Sequence, residues 1–207
     1  MTHENILPVE VWGTVLQHCF NIHVDKEFSQ PWSPLSPLYS RVESQLLLVC
    51  KEWYRVGTPL FYETVAVKTN STMRQLATTL NSNPTLGLMI HNLRLDGGYG
   101  LQLHALLKCT PNVENLSLHL DLGVGAPVTG FLRCIPDSNI LKPRALYIHH
   151  LLFAGNKHNN RLTIVNAAWE AIMSWTSLVS KINEDPMLLR IDVHGRNASS
   201  SATMYNI

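Results

Sequence analysis

The chain has 207 residues, 45% of them hydrophobic and 15% charged, with a formal net charge of +1. That length allows one sizeable core, or a small module joined to a larger one. The near-neutral balance gives no electrostatic ground for nucleic acid or an acidic membrane as a partner, no apolar run approaches the roughly 20 residues that span a bilayer, and the acidic start MTHENILPVE lacks the basic region of a secretory signal.

The first predicted element lies in ILPVEVWGTVLQHCF, Ile6 to Phe20. Pro8 suits a first helical turn, where its missing N–H costs nothing, and Glu10 complements the helix dipole. Trp12, Val15, Leu16, Cys19 and Phe20 then fall on one helical stripe, and Asn21 ends it. Asn21 to Ser40 follows, with Pro31, Pro34 and Pro37 excluding a continuous helix, so residues 21–40 are expected to form an insertion loop with Trp32 and Leu35 tucked against the helices. A second helix is expected from near Ser40, with Leu46, Val49, Cys50, Trp53 and Val56 at helical spacing, stopped by Gly57, Thr58 and Pro59. Leu47 and Leu48 lie off that stripe, and Leu60, Phe61 and Tyr62 form an aromatic knot after it. Two helices cannot cover this much apolar surface by themselves, so the excess docks on the rest of the chain or on a partner.

Leu7-Pro8 with Glu10-Val11, Val15-Leu16, Val49-Cys50-Lys51 with Trp53, and Pro59-Leu60-Phe61-Tyr62 together resemble an F-box, and more narrowly the F-box-like proteins abundant in fungi. The resemblance covers roughly Ile6 to Val67, and its specificity lies in the ordered set. It departs from the family at the 21–40 insertion, where the link is usually short. It implies a helical module that docks on a Skp-type adaptor and links a target protein to a cullin–RING ubiquitin ligase. By resemblance, Leu7, Pro8, Val11, Val15, Leu16, Leu47, Val49 and Trp53 would lie at or beside the adaptor surface.

Beyond the module, Thr64 to Val67 reads as a short strand, and NSTMRQLATTLNSNP as a helix with Met73, Leu76, Ala77 and Leu80 on one face, capped by Ser71 or Thr72. A helix from Leu101 to Lys108 leads through a Pro111-Asn112 turn into a strand with Val113, Leu116, Leu118 and Leu120. L-x-L cores begin at Leu93, Leu116, Leu146 and Leu189, at spacings of 23, 30 and 43 residues. A strand and a helix per unit, at a period of roughly 20–29, is the leucine-rich-repeat signature. The array is degenerate, since the asparagine ladder of regular repeats is missing and the last interval holds an insertion. That insertion contains a helical stripe, Ile164, Ala168, Ile172, Trp175, Val179 and Ile182, predicting a helix over about Thr163 to Asn183 with Trp169 and Trp175 in a core or seam. The tail from Gly195 is small and polar, with the composition of a disordered end.

Chemistry-bearing motifs are scarce. GVGAPVTG and GGYG do not match a phosphate-binding loop, and neither a Walker A, a G-x-S-x-G nor an H-E-x-x-H is present. His149 and His150 alternate across a strand, and His104 and His119 have no Cys or acidic partner at ligand spacing. Cys19, Cys50, Cys109 and Cys134 are widely spaced among apolar neighbours and read as small buried hydrophobes of a reducing compartment.

The expected fold is therefore α/β: a short helical F-box-like module over residues 1–65, a leucine-rich-repeat-like array of parallel strands and helices over 66–194, and a disordered tail over 195–207. The expected role is bridging in the cytoplasm or nucleus, with a Skp-type adaptor and a target protein as partners and no catalysis, cofactor, metal, nucleic acid or membrane. Alternation along the strands places Asn92, Arg94, Asp96, Asn115, Ser117 and His119 on an exposed target-facing side. The alternative is a scaffold with the same fold that does not bind the adaptor, its Pro-rich loop folded over the helices; a small hydrolase-like enzyme is a distant third.

Overall fold

The computed structural model describes residues 8–20, 24–28, 42–120, 127–135, 143–152 and 189–195, with the single positions 140, 166 and 170. Trp32, Leu35, Trp169, Trp175 and the tail after Gly195 lie outside them, as does the predicted 163–183 helix apart from Asn166 and Glu170, which are helical.

Helix α1 (Val9–Phe20) starts behind Pro8, whose carbonyl accepts from the Val11 and Trp12 amides. It turns Leu16 and Phe20 inward. The second helical segment differs from the sequence expectation at both ends. A 3-10 helix (Val42–Leu48) comes first, and a separate helix α3 (Lys51–Glu63) begins after a break at Cys50. The break is a cap: the Cys50 backbone is extended and its Sγ accepts from the Trp53 amide, so the helix restarts there. Nor do Gly57, Thr58 and Pro59 stop α3. Pro59 sits inside the helix on its exposed side, and the Thr58 hydroxyl donates to the Tyr54 carbonyl one turn back. Gly57 marks the helix crossing, because a methyl group there would meet Leu47 at 2.7 Å and Phe20 at 3.2 Å. Trp12 against Trp53 (centroids 5.1 Å) and Phe20 edge-on to Phe61 complete the seam.

Among the described residues five strands follow: β1 (Thr64–Val67), β2 (Asn92–Leu95), β3 (Asn115–His119), β4 (Ala145–Leu152) and β5 (Leu189–Gly195). They form one parallel sheet in chain order β1-β2-β3-β4-β5. Val65, Leu93, Leu116, Leu146 and Leu189 are paired in one continuous row, so the four L-x-L starts stand side by side. Adjacent parallel strands need a crossover, and from β1 to β4 the intervening helices supply it: α4 (Asn70–Ser82), α5 (Pro84–Leu88), α6 (Gln102–Cys109) and α7 (Thr129–Cys134). The chain is thus a mixed α/β protein with a parallel sheet and helices stacked along it, α4 on α6 and α6 on α7.

Local chemistry explains the stacking. Thr69 rather than Ser71 or Thr72 caps α4, in a reciprocal box with Thr72. Met73, Ala77 and Leu80 of α4, Leu103, Leu106 and Leu107 of α6, and Phe131 and Cys134 of α7 bury against the strand leucines in one continuous core. GGYG is a structural turn. A side chain at Gly97 would strike the Lys68 carbonyl at 2.1 Å, and Gly98 has φ +77°. The turn drops Tyr99 into the core, where its hydroxyl is hydrogen-bonded to the carbonyls of Leu95 and His119, tying two strand ends together. Burial holds that phenol well above its ordinary pKa.

The cysteine expectation needs correcting. Cys134 is buried and Cys109 half-buried, but Cys19 and Cys50 are exposed, because the inward line of α1 passes through Leu16 and Phe20 and Cys50 serves as a cap.

Candidate functional site

Two surfaces separate the expected site residues. The first is the outer side of the helical module. Val11 and Val15 are exposed one turn apart on α1, and Cys19 continues the line. Val49 is 60% exposed beside the cap, while Trp53 is half-buried against Trp12 and Pro8 is exposed at the start of α1. One of the expected adaptor contacts is corrected. Leu16 is 0% exposed in the α1–α3 seam, because it faces inward at the crossing, while Leu47 is half-buried beside Gly57. Leu7 lies outside the described residues. Leu48, 82% exposed, and Tyr54 belong to this surface and were not picked out from the sequence. The sequence signal was present for Leu48, which falls off the inward stripe.

The second surface is the strand face opposite the helices. Register places Asn92 beside Asn115, Arg94 beside Ser117, and His119 beside His149. These positions were expected to be exposed. Instead Asn92, Arg94, Ser117 and His119 are buried, Asn115 and Asp96 are partly so, and the Asp96 side chain is closed off. Among the described residues, α2 (Val24–Phe28), a short helix from within the segment read as an insertion loop, packs on this face at Arg94, Ala145, Tyr147 and His149. Phe28 is fully buried against Ala145 and edge-on to Tyr147, with Val24 and Ala66 alongside. The contact is polar as well. Arg94 Nη1 donates to the Glu27 carbonyl, and His149 Nε2 donates to the Phe28 carbonyl at 2.6 Å, which requires the proton on Nε2. Nothing local in the sequence announces this docking, since the partners are 67 and 121 residues apart.

Beneath α2 the strand face carries its own network. Asn115 donates to Asn92 and Asn92 to Thr64, a short amide ladder across three strands that the sequence reading did not anticipate. Arg94 Nε reaches both Asp96 carboxylate oxygens, at 2.9 and 3.1 Å. Burial pushes Asp96 up to about 7 even with that guanidinium beside it, and burial likewise lowers Arg94. The His119 and His149 rings stack at 6.3 Å. Their separation of 30 residues repeats the Leu116–Leu146 interval, so the pair was legible once the repeat was extended from the leucines to the positions following them.

Comparison with known proteins returns no match: no family fits the chain, and neither a curated protein nor a solved structure is similar to it. The geometry must speak for itself. Among the described residues, no group of three or more His, Cys, Asp or Glu is placed to hold a metal ion, and no helix is long and apolar enough to cross a membrane. The strands run in sequential order, so this sheet has no topological switch point, the place where open α/β sheets gather ligands. What the two surfaces offer is contact chemistry: apolar side chains in water on the module, and a hydrogen-bonding, aromatic-accepting strand face on the array.

Proposed function

We propose that the chain is a non-catalytic bridging protein: an F-box-like helical module that docks on a Skp-type adaptor, joined to a degenerate leucine-rich-repeat region whose strand face receives a target protein. In this reading the module spans residues 1–65 and the repeats 66–194, and the protein works in the cytoplasm or nucleus as a substrate receptor of a cullin–RING ubiquitin ligase. One observation carries the docking half. The module closes its own seam with Leu16, Phe20, Trp12, Trp53 and Gly57, yet leaves Val11, Val15, Leu48, Val49 and Tyr54 in water. Large apolar side chains left in water beyond what folding requires are the kind of surface a protein partner covers.

The test is co-purification with a Skp-type adaptor. Wild-type protein retains the adaptor, and Val15→Asp combined with Val49→Asp loses it while the thermal unfolding curve by circular dichroism stays unchanged. A wild-type protein that retains no such adaptor defeats the reading and leaves the scaffold.

A further inference from the structure

We propose that α2 is a built-in occupant of a peptide-binding site on the strand face, and that the partner displacing it is a segment carrying an aromatic residue next to a carboxylate. The proposal deepens the bridging reading and rests on it for the identity of the strand face as the target side.

Three observations carry it. The surface under α2 has the composition of a face that also meets water. Asn92, Arg94, Asp96, Ser117, His119 and His149 lie on this face beside Ala66, Ala145 and Tyr147, whereas the buried helix-side residues of β1 to β4 are all Val, Leu and Ile. A permanently covered face has no need of so many polar groups, since burying even hydrogen-bonded ones returns little net free energy.

The contact is also built as a recognition contact. Two side chains from the sheet hold backbone carbonyls of α2, Arg94 on Glu27 and His149 on Phe28, while one aromatic ring packs with Ala145 and edge-on to Tyr147. Carbonyl capture and an aromatic anchor read a short segment without needing the rest of its chain.

Finally, α2 leaves donor capacity unused. Arg94 Nη2 and the Ser117 hydroxyl have no hydrogen-bond partner, though Arg94 is 1% and Ser117 0% exposed, and they stand side by side in the β2–β3 register. Two adjacent donors match the two oxygens of a carboxylate. The cis segment VDKEF is itself acidic and aromatic, and the Glu27 charge already acts favourably on Arg94. A trans segment of that chemistry, with its carboxylate set on Arg94 and Ser117, uses what α2 does not.

The probe is a fluorescent synthetic peptide of residues 21–30, NIHVDKEFSQ, titrated into full-length protein and followed by anisotropy. The Phe28→Ala protein, its anchor removed, binds this peptide at least about tenfold more tightly than wild type does, because wild type carries a competing copy at high effective concentration. The peptide with Phe28→Ala binds at least about tenfold more weakly than the unaltered peptide. A folded Phe28→Ala protein that ignores the peptide overturns the proposal, and so does one that accepts both peptides equally.

A second measurement stands whether or not that variant folds. In an Ala145→Cys variant with α2 intact, the new thiol lies under Phe28, while native Cys134 is buried on the helix side and serves as the internal standard. Labelling by a thiol reagent, resolved by peptide mass, proceeds at least about a hundredfold faster at position 145 if α2 lifts without unfolding the sheet. Equal rates mean that α2 opens only with the whole molecule, and the proposal falls. Neither experiment involves the adaptor, so loss of adaptor binding and failure of the peptide site are separate results.

Discussion

The two faces of one parallel sheet are covered in opposite ways. On the helix side, Leu93, Leu95, Leu116, Leu118, Leu146 and Ile148 are buried under α4, α6 and α7 in a single apolar core. On the other side, alternate residues of the same strands form a polar strip, and the described cover is the five-residue helix α2, held by one phenylalanine and two carbonyl contacts. Burial alone does not tell these faces apart, because residues on both are close to fully covered. Their chemistry does. Apolar burial is strong, non-directional and additive over many side chains, so the helix side is the part that holds the fold together. Polar burial returns little net free energy per hydrogen bond, so the α2 side, or strap side, contributes less stability, and under the proposal above it is the side that exchanges its cover.

The largest expected effect lies on the helix side. Leu116→Ala, at the centre of the sheet, should cost about 2–5 kcal/mol, read as a lowered midpoint in urea unfolding. A loss under about 1 kcal/mol would mean that the helix side is not the stabilising core. On the strap side, Phe28→Ala removes a larger side chain yet should cost no more than about 2 kcal/mol, because the penalty is capped by the docking free energy of α2 once the rest stays folded. A loss as large as that of Leu116→Ala would erase the distinction between the faces.

A smaller effect sharpens the comparison through pH. Burial raises Asp96 to about 7 in the folded protein, against about 3.9 for an unfolded aspartate. The folded state therefore holds the proton more tightly than the unfolded one between those values. This contribution to stability is complete at low pH and is lost as pH rises through about 7. Asp96→Asn should flatten that part of the profile, so the difference in unfolding midpoint between variant and wild type should change between pH 5 and pH 8. A constant difference would mean that the Arg94 pairing, not burial, governs this carboxylate. The smallest effect is expected on the helical module, where Val15→Asp should change stability by less than about 0.5 kcal/mol, since its side chain already faces water. Loss of adaptor retention at unchanged stability is the signature that separates a docking residue from Leu16, one position away and fully buried.

Much of this arrangement was legible before any coordinates. Helical spacing placed α1, and the L-x-L starts at Leu93, Leu116, Leu146 and Leu189 turned out to be neighbours in a single row. Such periodicity is a local consequence of backbone geometry, so it survives translation into structure. Stop signals were less dependable. Gly57 and Pro59 read as a helix end, but the crossing with α1 needs a residue without a side chain at 57, and Pro59 lies on the exposed side, so tertiary packing overrode the propensity. The candidate target residues were named correctly as one face and wrongly as exposed. Alternation fixes which side chains share a face; it is silent on what lies over them.

By itself, then, the sequence determined the near-neutral composition, the amphipathic first helix and the repeated strand pattern, because each is written within a window of a few tens of residues. Only the tertiary structure decided that Leu16 is core and Val15 is surface, that His119 and His149 stack, and that Val24–Phe28 crosses the chain to seat Phe28 beside Tyr147. Those outcomes depend on contacts between segments up to 121 residues apart, set by how far an α/β stack brings its first helices back over its own strands. No local spacing encodes a distance that the chain acquires only by folding.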